Sequence, residues 1–380
     1  MISTAEFILV AFLIILLSYV VMIIVFSWFW GKENSVTTPS SIETKTITVI
    51  IPVRNEENNL AKCLDSLMNQ DYPKDKFSVV VAENGSMDNT IEIAKKYAET
   101  FSNIYFFQVV CNAEMHAKKK AITQAIGSSS SEYIILTDAD CTHSPQWLSV
   151  MASRMEQKKC AMLSGPVISK NENGFVSKLI QLDHLSLMAS GGASILSGRP
   201  LMCSAANLAF RREDFFVVEG YKGYETLSSG DDVFLMHNFK KKKLNIDFIK
   251  SYDVIIETAG SSAISSFFSQ RSRWASKSKH YPGFFPKAIA LLVLFASVLV
   301  IASYILILLN PMQYLILLAV PILKMIVDFV FLFQASSFVR RKNLMWFFIP
   351  TFLLYPFYVL TTFVISIFSK PQWKGTPVSK

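Results

Sequence analysis

The chain has 380 residues, 51% of them hydrophobic, a mean hydropathy of +0.35 and a net charge of +8; soluble globular chains average about 45–50% apolar residues, so the surplus is concentrated in particular segments. Five cysteines, an odd number without a C-x-x-C pair, argue against a disulfide scaffold or zinc site and suit a reducing compartment. The positive balance suits anionic lipid headgroups and an anionic small molecule, and no basic–aromatic stripe outside the membrane-proximal parts points to nucleic acid.

Residues 7–30 carry no charge, and at about 1.5 Å per residue such a helix crosses a hydrocarbon core of ~30 Å. The preceding MISTAE has no Lys or Arg, and the run ends in Phe-Ser-Trp-Phe-Trp rather than in small residues. Residues 1–30 therefore read as a retained anchor, with tryptophans at the membrane interface, and not as a cleaved signal. Residues 31–45 are polar and Ser/Thr-rich, a linker. The β-branched run 47–53 predicts a buried parallel strand. A helix follows from about Glu56, with Leu60, Cys63, Leu64, Leu67 and Met68 on one face, and ends before Tyr72-Pro73. Strand 77–82, a turn at Asn84-Gly85-Ser86, helix 88–99, strand 104–110, helix 118–126 and strand 133–137 come next. Strands alternating with helices predict an α/β domain over 46–260, with a Rossmann-like, mixed but mainly parallel sheet flanked by helices. Its ligand is expected at the carboxyl ends of the strands, near a topological switch point.

Residues 261–287 read as interfacial helices. Three further apolar stretches, 288–309, 313–334 and 345–368, make a C-terminal membrane unit over 288–370, followed by a tail at 371–380. Positive residues favour the cytoplasmic side. The loop between the last two spans carries Arg340, Arg341 and Lys342, so that loop is expected inside, and counting back places the α/β domain inside too. The expectation is an integral protein of the cell membrane with its large domain cytoplasmic. The same count puts the tail, with its lysines, outside, unless the last segment is re-entrant or interfacial. Lys324 and Asp328, four residues apart within an apolar stretch, mark either a path or headgroup site or an internal ion pair.

The candidate chemistry sits at the predicted strand ends. The first strand is followed by Arg54-Asn55-Glu56-Glu57, the second by Glu83-Asn84, the fourth by Asp138-Ala139-Asp140. Two carboxylates one residue apart can present oxygens to one hard cation, Mg²⁺ or Mn²⁺, with phosphate oxygens as co-ligands. Such a triplet arises by chance roughly 0.4 times at this composition, so its position after an apolar strand carries the argument. Downstream, Gly230-Asp231-Asp232 offers either a helix N-terminal cap or a general base. In Gln270-Arg271-Ser272-Arg273-Trp274 the i, i+3, i+4 spacing turns Gln270, Arg273 and Trp274 to one helical face. Arg suits phosphate and Trp a sugar or base; an interfacial helix with a snorkelling Arg is the other reading.

Together these segments resemble the membrane-integrated branch of the family 2 inverting glycosyltransferases, which have the GT-A fold and include polysaccharide synthases and ceramide glucosyltransferases. The resemblance covers about 46–275. It runs through Ile50-Ile51-Pro52-Val53-Arg54-Asn55-Glu56-Glu57, Leu64-Asp65-Ser66-Leu67, Gln70 and Tyr72-Pro73, then Lys118, Ala121 and Ile122. Asp138-Ala139-Asp140, the segment 203–212, Gly230-Asp231-Asp232 and Gln270-x-x-Arg273-Trp274 complete it, the last being the most discriminating. It implies Pro52, Arg54, Asn55, Glu56, Glu83, Asn84, Lys118 and Asp138 as donor-binding residues. Asp138 and Asp140 would hold a divalent metal; Asp232, with Asp231, Gln270, Arg273 and Trp274, would make up the catalytic set. Departures are Glu83-Asn84 where the family has Asp-Asp or Asn-Asp, Ala117 for Gly, and Thr123 for Asn. Asn84 can still accept a hydrogen bond from a nucleotide base, which keeps a UDP-linked donor as the expectation.

The implied reaction is sugar transfer from a nucleotide-sugar donor to a lipid or growing glycan acceptor at the membrane. A processive polysaccharide synthase is the alternative within the class, four spans being few for a polymer channel. An inactive scaffold with the same fold is the alternative outside it; a transporter is disfavoured by the lack of an inverted repeat. Oligomeric state is not legible.

Overall fold

A computed structural model describes residues 4–32, 44–109, 115–227, 229–260, 264–368, 372–373 and 376–377. Helix α1 (Thr4–Lys32) is followed by β1 (Ile47–Val53), α2 (Leu60–Met68), β2 (Phe77–Glu83), α3 (Thr90–Thr100), β3 (Ile104–Gln108), α4 (Ala117–Ser128), β4 (Tyr133–Leu136) and α5 (Trp147–Lys158). The short strands β5 (Met162–Ser164) and β6 (Val167–Ser169) lead to the long α6 (Phe175–Leu196), β7 (Leu208–Arg211), α7 (Arg212–Val217), α8 (Asp231–Lys241), β8 (Ile246–Phe248) and β9 (Ile256–Thr258). Helices α9 (Ile264–Ser276), α10 (Phe284–Leu309), α11 (Pro311–Tyr314), α12 (Ala319–Phe338) and α13 (Phe348–Phe368) follow.

Seven strands form one sheet in the order β3-β2-β1-β4-β7-β5-β8, and β6 pairs with β9 apart from it. All pairings in the main sheet are parallel except those of β7, which runs against β4 and β5. The mixed, mainly parallel sheet is therefore as predicted. From β1 the chain builds outward through β2 to β3, then returns to place β4 on the other side of β1. That reversal opens a crevice beyond the carboxyl ends of β1 and β4.

Alternation along β1 sorts its side chains to two cores. Ile47, Val49, Ile51 and Val53 join Leu60, Leu64 and Leu67 of α2 with Trp147 and Met151 of α5. On the opposite face Ile50 meets Ile122 and Ile126 of α4, Phe239 of α8, and residues of α6 and the apolar helices. The apolar C-terminal helices thus share one continuous core with this face of the α/β domain, apart from the core on the other face.

Among the described residues four helices, 10–32, 284–309, 311–338 and 342–368, are long and apolar enough to cross a membrane. The third is not one continuous α-helix, since a 3-10 turn at 315–318 separates α11 from α12. Two predicted helix starts move inward. Residues before α2 form a turn in which the Glu56 carbonyl accepts from Asn59 N and Leu60 N, and α3 begins at Thr90. The predicted end of the third strand at Val110, and most of the 31–45 linker, lie outside the described residues.

Trp30 does not anchor at a membrane interface. Its side chain is fully buried against Phe248 of β8 and Phe338 of α12, while Trp28 is 57% exposed. Lys250 donates to the Trp30 carbonyl at 2.7 Å, and Gly192 of α6 leaves room where a Cβ would come 2.9 Å from the Trp30 ring. The end of α1 is therefore sealed to the α/β domain by aromatic packing. The four described cysteines are free; Cys111 lies outside the described residues.

Candidate active site

A cavity of about 600 Å³ opens in the predicted crevice. Pro52, Arg54, Glu56, Asn84, Lys118, Asp138, Asp140, Asp231, Asp232, Gln270, Arg273 and Trp274 all line it. Asn55 and Glu83 do not border it. Asn55 takes a left-handed backbone (φ 52°), and its side-chain oxygen accepts from Met87 N at 2.8 Å. Glu83, 2% exposed, accepts from Ser86 N and from Gln108 Nε2 at 3.4 Å. Asn55 thus ties the loop after β1 to the loop after β2, and Glu83 braces the second loop against itself and the end of β3; these loops carry Arg54 and Asn84.

Asp138 and Asp140 follow β4 directly, because the strand ends at Leu136 and Thr137 N still bonds to the Ile50 carbonyl. The Asp140 carboxylate accepts from the Thr258 hydroxyl at 2.7 Å. Burial, and next the charge of Asp138, push the Asp140 carboxyl above its ordinary range. Two hard oxygen donors at a cavity wall, one with its charge disfavoured by burial and by the other, suit a divalent cation. Among the described residues no three carboxylate, imidazole or thiol groups converge, so such an ion would draw its remaining oxygens from a diphosphate or water.

Of the three consecutive lysines in helix α4, the first two have separate roles. The Lys118 ammonium donates to Asp138 Oδ1 at 3.0 Å and lies 3.2 Å from Asp231 Oδ2, bridging the acids after β4 to those opening α8. Burial disfavours its charge, yet Asp138 and Asp231 hold it protonated, above an ordinary lysine. Lys119 turns the other way. Only 1% exposed, it donates to the Tyr224 carbonyl and, at 2.6 Å, to that of Leu227, fastening the loop that leads to Gly230. Burial brings its pKa down to about 8.

Gly230 has φ +84°, and a Cβ there would meet Phe234 at 2.7 Å and the Lys277 side chain at 3.3 Å. The tight left-handed turn is what lets both carboxylates open α8 facing the cavity. Burial raises both carboxyl groups, but they diverge. Lys118 and Lys277 hold Asp231 below the ordinary carboxylate range, whereas Asp232, beside the negative Asp231, stays above it despite Lys277. Asp232 accepts from Ala205 N at 3.3 Å. That peptide is positioned by Asn207, which is fully buried and donates to the Pro166 and Val254 carbonyls at 3.0 and 2.8 Å.

Helix α9 lays Gln270, Arg273 and Trp274 along the cavity, as their spacing predicts. Burial lowers the Arg273 pKa, and the charges of Asp231 and Asp232 oppose that. The neighbouring Arg271 also reaches the wall, pairs with Asp183 of α6 at 2.6 Å and stacks its guanidinium 4.3 Å from the Trp274 ring. Further in, the cavity is bounded by Leu187 and Met188 of α6, Ala290 of α10, and Tyr358 and Thr362 of α13. One space thus joins the acids at the sheet edge to the apolar helices.

Sequence reading did not single out Thr258, Lys119, Asn207 or the Asp183–Arg271 pair as parts of the site. The available signal was a polar or charged side chain inside a segment whose periodicity is otherwise buried, as with Asp183 in α6.

The family model described as glycosyl transferase family group 2 matches residues 133–365, and that of glycosyl transferase family 2 matches 48–216. The glycosyltransferase AglE of Haloferax volcanii is 34% identical over 128 residues, covering 34% of this chain and 41% of its own. An N-acetylglucosaminyltransferase of Rhizobium meliloti is 25% identical over 60% of this chain and 54% of its own. In Methanococcus voltae, a transferase acting on dolichyl N-acetyl-α-D-glucosaminyl phosphate is 27% identical over 39% of this chain and 46% of its own. The matches thus span about half the length of these relatives. Among solved structures, the mannosyltransferase PcManGT of Pyrobaculum calidifontis, in complex with GDP-Man and Mn²⁺, superposes with a TM-score of 0.56 at 18% identity. It covers 94% of this chain and 98% of its own, a likeness that bears on the fold.

Proposed function

The chain belongs to glycosyl transferase family group 2, and we propose that it moves a sugar from a nucleotide-sugar donor, UDP-linked, onto a hydroxyl of a lipid or growing glycan acceptor at the membrane, with inversion. The observation that carries this reading is one continuous cavity reaching from the carboxylates at the sheet edge to side chains of α10 and α13. A donor bound at the sheet meets an acceptor arriving from the membrane helices. Relatives named for N-acetylglucosamine transfer and for a dolichyl-phosphate-linked substrate support both halves.

Arg54, Glu56, Asn84 and Pro52 border the donor end, where the Asn84 carbonyl can accept from the nucleotide base. Asp138 and Asp140 would hold a divalent cation, which when bound neutralises charge developing on the leaving diphosphate. Asp232 takes the acceptor hydroxyl proton as the new C–O bond forms at the anomeric carbon. The bond to the diphosphate oxygen breaks in the same step, and the proton later passes to water. Its raised pKa makes it the better base of the acidic pair. Arg273 faces the departing diphosphate, and Trp274, backed by Arg271, offers a surface to the acceptor. The reading includes an integral protein of the cell membrane with its α/β domain cytoplasmic.

Release of nucleoside diphosphate by lipid-reconstituted protein, over a panel of nucleotide sugars with Mg²⁺ or Mn²⁺, tests the proposal. Release from one donor, abolished by Asp140→Ala, is expected. No release from any donor, with membrane lipid extract supplied as acceptor, would favour an inactive scaffold. Product length then separates single transfer from processive synthesis.

A further inference from the structure

Helix α12 ends with an uncommon device. Arg340 sits in the left-handed region (φ 57°), its N–H bonds to the Ser337 carbonyl at 3.2 Å, and Arg341 N bonds to that of Ser336 at 2.8 Å. These are the two hydrogen bonds of a Schellman cap, with arginine in the place glycine ordinarily takes. The turn sends two arginines from the loop between the last two apolar spans back onto the α/β domain. Arg340 stacks 3.9 Å over the Tyr252 ring. Arg341 donates through Nη1 to the Ser169 carbonyl at 2.6 Å and pairs through Nη2 with the Glu257 carboxylate.

Ser169 is the last residue of β6 and Glu257 the middle of β9, so one guanidinium spans both strands of the small second sheet. Each strand has three residues, and an isolated pair of that length is marginal without outside support. Beyond Glu257 comes Thr258, whose hydroxyl holds Asp140. The Glu257 carbonyl also accepts from Thr142 N at 3.4 Å, two residues past Asp140. Both approaches to Asp140 therefore run through the strand that Arg341 clamps.

We propose that Arg341 is a positioning residue for the cation site, setting through β9 and Thr258 the orientation of the Asp140 carboxylate. This rests on the reading of Asp138 and Asp140 as cation ligands. Outer-shell partners that orient a ligand typically change metal affinity about 10–100-fold when removed. The ligand group is thereby coupled to the membrane end of the fold, because the clamp comes from the loop joining α12 to α13.

The test is Mn²⁺ affinity of the full-length reconstituted protein with UDP or GDP present, read by the free-Mn²⁺ electron paramagnetic resonance signal. Arg341→Gln and Thr258→Val should each weaken Mn²⁺ binding about 10–100-fold, and Thr258→Ser should restore it. Turnover at saturating Mn²⁺ should change much less than the Mn²⁺ requirement. The double variant should be no weaker than the worse single one, since both changes remove one line of support. Wild-type affinity in Arg341→Gln, or fully additive losses in the double variant, would overturn the inference while leaving the transferase reading intact. Wild-type protein that fails to bind Mn²⁺ whether UDP or GDP is present would overturn both this inference and the cation-site reading on which it rests.

Discussion

Arg271 of α9 and Asp183 of α6 form an ion pair at 2.6 Å in which both side chains are almost fully withdrawn from solvent, at 4% and 7% exposure. The pair fixes the helix bearing Gln270, Arg273 and Trp274 to the long helix under the cavity, and the Arg271 guanidinium lies between the rings of Phe267 and Trp274. A buried pair of this kind does more for register than for net stability, since desolvation offsets most of the attraction.

Breaking that pair on one side is therefore expected to cost more than removing it. Arg271→Ala strands a buried carboxylate and should destabilise the protein by about 3–5 kcal/mol. The double change Asp183→Asn with Arg271→Gln should recover a large part of the loss. Thermal unfolding in detergent or nanodiscs measures both, and a double variant as unstable as the single would contradict the account.

Asp232→Asn should lower turnover by about 10²–10⁴-fold, the usual worth of a general base, while nucleotide affinity stays near wild type. Equilibrium binding of the nucleoside diphosphate beside single-turnover rates separates the two effects. Retention of most of the wild-type rate would remove Asp232 from the base role.

The pH profile carries a sign. Asp232 must be ionised to act, and its carboxyl is held above the ordinary value of about 3.9 by burial and by Asp231, against Lys277 and Lys118. Activity should fall on the acid side at a pH above the usual carboxylate range. Lys277→Gln removes a cation that favours the ionised form, so the acid limb should move to higher pH. An unmoved or downward-shifted limb in kcat/KM would show that another group governs it.

Gly230→Ala should be poorly tolerated. A left-handed backbone costs an L-residue about 1–2 kcal/mol, and the added methyl would meet Phe234 at 2.7 Å. Reduced activity with lowered thermal stability is expected, whereas Gly223→Ala, also at positive φ (+85°) but with open space around the added Cβ, should lose stability with less effect on rate. Equal loss of rate in both would mean the turn does not place the acids.

Much of this protein follows from its chain alone. Alternation in β1 and β4 and the helical faces between the strands depend on near neighbours, so the parallel sheet and the strand-end positions of Arg54, Asn84 and Asp138 are legible from local pattern. The four apolar spans are legible for the same reason, since length and lack of charge suffice. Helix starts were less so, because the loops after β1 and β2 settle each other: Glu57 accepts from Asn89, and Asp88 accepts from Glu57 N.

What the sequence by itself determined is the first four strands, the apolar spans, and which acids stand at the ends of those strands; the short strands β5 to β9, too brief to show a period of their own, emerged only in the structure. Tertiary structure alone decided who supports them. Thr258 on Asp140, Lys118 between Asp138 and Asp231, Arg341 on the small sheet, and Trp30 buried against Phe248 each join residues about 20 to more than 200 positions apart. Hydrogen bonds and ion pairs act over a few ångströms of space and carry no periodic signature along the chain, so no pattern in the sequence announces them. It also decided that Arg340 and Arg341, in the loop between the last two apolar helices, rest directly on the α/β domain, a contact that no count of charges along the chain implies.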